Sequence, residues 1–252
     1  MNNFKLDSKE NIKKFIRRLY LRVIIFHNNR HDLSYVNSKE FDNILEIIYL
    51  IIEDVCYNER IDITSIESAG CGAYSSVLII GNKVIKIGCS RETKRFPNNP
   101  YINTMLLRKE FPITEQDSLF VEVSERVDTN TKVEEEELYQ LYKKVRDLGL
   151  VWLDIGIKNI GRLLRDNKVH WRFELPITDE VLGLDSFRGK DLLKKGDIVI
   201  VDNDLIYDIN NHIIPFRFAT PYLYLFETRY EKEEKSSPHY GGKLIIKREK
   251  TS

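Results

Sequence analysis

An aspartate and an asparagine five positions apart, Asp154 and Asn159, sit in the stretch Leu153-Asp154-Ile155-Gly156-Ile157-Lys158-Asn159-Ile160. On a loop, that spacing lets both side chains converge on one point. The carboxylate suits accepting the proton of an attacking hydroxyl, and the amide oxygen suits holding a metal ion. Leu153, Ile155, Ile157 and Ile160 are expected to lock the loop against a core. The competing reading is an Asx turn, with Asp154 satisfying backbone amides.

Three further groups invite chemistry of the same kind. In Gly70-Cys71-Gly72-Ala73-Tyr74-Ser75-Ser76-Val77, glycines at the first and third positions let a strand-to-strand turn lie close over phosphate oxygens. Tyr74 can cap that turn and Val77 can lie against a purine; an ordinary glycine-bearing hairpin fits the same residues. Nine residues on, Val84-Ile85-Lys86-Ile87 places a lysine on an apolar strand, sharing a face with Val84 and opposite Ile85 and Ile87. An ammonium there needs an anion, such as the α- and β-phosphates of a nucleotide, unless the strand is an edge and the lysine faces water. Finally, Ile198-Val199-Ile200-Val201-Asp202 describes a buried strand that delivers a carboxylate at its tip, as a Mg²⁺ ligand is presented beside a triphosphate. A plain turn aspartate is the alternative there.

These groups need elements to position them. Lys9 to about Asn28 reads as a helix with a solvated basic face (Lys13, Lys14, Arg17, Arg18, Arg22). Phe41, Ile44, Leu45, Ile48, Ile51, Ile52 and Val55 follow the 3.6-residue period of a second, packed helix. From Ser65 to Ile87 the chain turns β-branched, with a hairpin about Gly81-Asn82-Lys83 preceded by a third strand. A helix is expected over Asn98–Arg108, a strand over Leu119–Arg126, and a charged helix over Val133–Gly149 stopped by the glycine. Thr220-Pro221 opens a last helix running to about Lys235.

In this order (glycine-rich turn, strand lysine, charged helix, D-x₄-N loop, strand-tip aspartate), Ser65 to Asp208 resembles the protein kinases, above all the compact bacterial and phage-type Ser/Thr kinases. The resemblance implies an α+β, two-lobed kinase-like fold. Its parts would be an N-terminal helical extension (1–60), a small lobe (61–127), a shortened helical lobe (128–235) with an insertion at 162–196, and a loose tail (236–252). Gly70, Gly72 and Val77 match the phosphate loop, with Ser75 where a third glycine is usual. Lys86 matches the strand lysine, Asp154 the catalytic aspartate, and Asn159 and Asp202 the metal ligands. Glu110 is the expected partner of Lys86, a role held by a helix glutamate in the family; Glu92 follows the strand too soon. The N-terminal helices would either replace missing helices of the large lobe or brace the small one.

The chain also departs from the pattern. Trp152-Leu153 stands where His-Arg is usual, which argues against control through a phosphorylated activation loop. Gly156 replaces the usual lysine, with Lys158 nearby but out of register. Asn203-Asp204 replaces Phe-Gly, so that Asp204 competes with Asp202 for the metal. The expected activity is ATP- and Mg²⁺-dependent phosphorylation of a protein hydroxyl. Its rivals are a small-molecule kinase, a nucleotidyl transferase and a pseudokinase that binds without turnover.

Composition narrows the partners. Lys+Arg and Asp+Glu both number 39, so no basic balance calls for nucleic acid. The apolar run Ile44–Val55 is short and broken by Glu46, Glu53 and Asp54, so no membrane span is expected. Three scattered cysteines and no visible signal peptide point to a cytoplasmic protein.

Overall fold

The computed structural model describes residues 6–26, 35–71, 75–90, 105–113, 118–166, 193–201, 205–209, 214 and 216–234. Among them are four α-helices and three antiparallel sheets, an α+β architecture. They form two compact units, one reaching Arg126 and the other starting at Val127.

The first unit opens with helices α1 (Lys9–Phe26) and α2 (Lys39–Glu59). Strands β1 (Glu67–Cys71), β2 (Ser75–Ile80), β3 (Lys83–Ser90), β4 (Met105–Pro112) and β5 (Ser118–Glu125) follow and pair in the order β1-β2-β3-β5-β4. The period of α2 puts Phe41, Leu45, Ile48, Ile51, Ile52 and Val55 on one fully buried stripe. That stripe and Ile12 and Ile16 of α1 share one core with Leu78, Ile80, Ile85, Ile87, Val121 and Val123 of the sheet. Each such side chain contributes about 1.5–3 kcal/mol on burial. The helices are thus the second layer of this β-rich unit.

Charge fixes how the helices meet. Lys9 and Lys13 both donate to Glu46, and Arg17 donates to Asp42 and to the Val36 carbonyl. The basic face of α1, expected to be solvated, thus partly serves as the seam to α2. At the far end of α2, Glu59 accepts the Asn82 backbone N–H at 3.0 Å and lies 3.5 Å from Lys83, which pairs with Glu125 at 2.7 Å. Asn82 belongs to the β2–β3 turn, where Gly81 adopts a left-handed φ of 57°. A Cβ at Gly81 would meet the Glu59 carboxylate at 3.0 Å, so both the backbone and the space favour glycine there.

The expected helix over Asn98–Arg108 is overturned from Met105 on. Residues 105–112 form the edge strand β4, paired with β5 through Arg108↔Glu122 and Glu110↔Phe120. Leu107 and Phe111 fill the core from it, and this tertiary demand outweighs a helical reading of the run. Residues 98–104 and Glu92 lie outside the described residues.

The second unit holds β6 (Val127–Asp128), α3 (Glu135–Asp147), β7 (Leu150–Trp152), β8 (Ile160–Leu163), β9 (Ile198–Ile200), β10 (Ile206–Asp208) and α4 (Pro221–Glu234). Its strands make two small sheets, β10-β7 and β6-β8-β9. Three glutamates in the first turn of α3 and two basic residues in its last turn suit the helix dipole, and Gly149, at φ 74°, ends it as expected. Between α3 and α4, buried Glu227 accepts two guanidinium nitrogens of buried Arg146, at 2.9 and 3.0 Å, and the Tyr142 hydroxyl. Burial and the neighbouring carboxylate push the Tyr142 hydroxyl well up.

The insertion begins later than expected. Arg162 belongs to β8 and reaches Glu137 at 2.7 Å, while Leu163 and Gly196 close the excursion with paired backbone bonds of 2.9 and 3.0 Å to each other and to Asp197. Residues 167–192 and the tail at 236–252 lie outside the described residues. Among the described residues, no helix is long and apolar enough to cross a membrane.

Two stability predictions follow from these ion pairs. Replacing Glu227 with Leu strands the buried Arg146 charge and should cost about 3–5 kcal/mol in denaturant unfolding. Adding Arg146→Met should recover part of that loss. Glu46 is held below the usual carboxylate range by hydrogen bonds from Lys13 and then Lys9. Its contribution is full above the ordinary glutamate pKa and fades as pH falls through the depressed one. Because the pair is more than a third exposed, Glu46→Gln should cost no more than about 1 kcal/mol at neutral pH and nothing in strong acid.

Candidate functional site

The Asp154–Asn159 loop joins β7 to β8 in the second unit. Strand β7 pairs with β10 (Ile206↔Trp152), and β8 pairs with β9 (Ile160↔Ile200). The end of β9 and the start of β10 therefore lie beside the two ends of the connection from β7 to β8. Backbone bonds tie both ends: the Val201 N–H donates to the Asn159 carbonyl at 2.8 Å, and the Leu153 N–H to the Leu205 carbonyl at 2.9 Å. Between Val201 and Leu205 the chain has Asp202, Asn203 and Asp204, all outside the described residues.

The loop is seated from below. Trp152 and Leu153 are fully buried and Ile155 and Ile160 nearly so, as expected, but Ile157 is 49% exposed and locks nothing. The apolar Trp152-Leu153 pair roots the loop in the core with α4 residues Leu223 and Phe226. Thr220, read from sequence only as a helix cap, donates its hydroxyl to the Ile155 carbonyl at 2.9 Å and its N–H to the Leu153 carbonyl at 3.0 Å. Carbonyls on either side of Asp154 are thus held by the first residue before α4.

Within the loop, Asn159 is 7% exposed and forks its amide N–H₂ to Asp154, reaching the backbone carbonyl at 2.8 Å and Oδ2 at 2.7 Å. Lys158 lies 3.5 Å from the same Oδ2. The Asx-turn alternative does not occur: the Asp154 carboxylate takes a side-chain amide, not backbone N–H groups. Among the described residues, Asp154 Oδ1 and Asn159 Oδ1 accept no hydrogen bond. One carboxylate oxygen is oriented while the other can receive a proton, and the amide oxygen can hold a cation.

The first unit carries the other constellation. Lys86 lies on β3, the middle of five strands, with Ile85 and Ile87 fully buried on the opposite face, as the alternation requires. Its cross-strand neighbours are Val77 on β2 and Glu122 on β5. Gly70 lies on β1 at a register shift, opposite Val77, and Ser75 opens β2 opposite Gly88. Strand β1 ends at Cys71 and β2 opens at Ser75; Gly72 and Tyr74, between them, lie outside the described residues. Glu110 is exposed on β4, where Arg108 Nε donates to it at 2.9 Å.

Sequence reading passed over Arg108 and Glu122. The argument that singled out Lys86 applies equally to Glu122, a carboxylate alternating with Val121 and Val123 on an interior strand. No protein-family model matches the chain, and neither does any curated protein.

The amide fork generates a test. Asn159→Asp replaces a donor with a second carboxylate facing Asp154 and should destabilise the second unit by about 1–3 kcal/mol. A wild-type melting curve for this variant would mean that the fork does not fasten the loop.

Proposed function

We propose that this chain is an ATP- and Mg²⁺-dependent phosphotransferase with a protein-kinase-like, two-lobed fold, acting on a Ser or Thr hydroxyl of a protein acceptor. The observation that supports it best is the tie at both ends between the 153–159 loop and the 201–205 connection. That pairing is what an acid–base aspartate and a strand-tip metal ligand need in order to serve one phosphoryl group.

In this reading Lys86 holds the α- and β-phosphates, with Val77 beside it on the same face of the sheet under the purine. The glycine turn from Gly70 to Ser75, including Gly72 and Tyr74, covers the phosphates. Asp154, oriented by the Asn159 amide, accepts the acceptor hydroxyl's proton at Oδ1. The acceptor oxygen bonds to the γ-phosphorus as the bond from that phosphorus to the β–γ bridging oxygen breaks, and ADP leaves. Asn159 Oδ1 and Asp202 would hold Mg²⁺, which when bound neutralises charge on the phosphate oxygens. Lys158, beside Asp154, is close enough to steady the carboxylate's charge.

Incubation with γ-labelled and, separately, α-labelled ATP distinguishes phosphoryl from nucleotidyl transfer. ATP·Mg²⁺ at about 100 times its Kd should stabilise the protein by about 2.7 kcal/mol, seen as a melting shift. Lys86→Met and Asp202→Ala should lose that shift. Asp154→Asn should keep it while transfer falls by about 10²–10⁴-fold, since a proton acceptor acts in the transition state. Wild-type protein that binds ATP yet labels neither itself nor any lysate protein would be a binding module instead.

A further inference from the structure

We draw no further inference here: the strongest candidate, the Thr220 hydroxyl just before α4, which holds the Ile155 carbonyl beside Asp154 at 2.9 Å, belongs to the site already described.

Discussion

Backbone groups of the strands in the second unit have to be paired, and two short ladders, β7 with β10 and β8 with β9, pair those that flank the Asp154 loop. Because β7 precedes β8 and β9 precedes β10, the two connecting segments are obliged to have their ends next to each other. Asp154 is presented on one of them, and the other runs from Val201 to Leu205. Once the ladders form, the Asn159 carbonyl receives Val201 and the Leu205 carbonyl receives Leu153, so the loop cannot open at either end without losing one of these bonds. The amide fork of Asn159 and the Thr220 hydroxyl then settle the inside of the loop. A chemically demanding arrangement thus follows from an ordinary requirement of β-structure.

The first unit meets a different constraint. A five-stranded sheet with one apolar face needs a cover, and the 3.6-residue stripe of α2 together with α1 supplies it. With that face closed, the period of two sends Lys86, Glu122 and Arg108 to the other side. Polar residues can accumulate there in a row because the hydrophobic requirement is already met behind them. Complementary charge between α1 and α2 holds the cover in register without drawing on the residues of the row.

Much of this was legible in the sequence where pattern is dense. The α2 stripe, the β2–β3 hairpin about Gly81 and the helix stop at Gly149 could all be read from spacing and from a residue type that the backbone demands. The alternation about Lys86 and the D-x₄-N loop were legible for the same reason. Residues 105–112 were not, because Met105-Leu106-Leu107-Arg108-Lys109-Glu110 has the composition of a helix and becomes a strand only by pairing with β5. The Thr220 hydroxyl bond to Ile155 was invisible too, since it spans 65 residues and leaves no local pattern. Glu110, expected as the lysine's partner, stands on that edge strand opposite Phe120, a placement that only register can give.

The closure of the long excursion at Leu163 and Gly196 has a consequence for how this chain can vary. With Leu163, Gly196 and Asp197 bonded at its neck, the branch of chain between β8 and β9 is pinned at both ends. Loop-closure entropy grows only logarithmically with length, so lengthening or trimming such a branch changes the free energy of the ladder little. The branch point is an attachment site: new sequence can be grafted there, or old sequence exchanged, while the order of neighbours around Asp154 stays as it is.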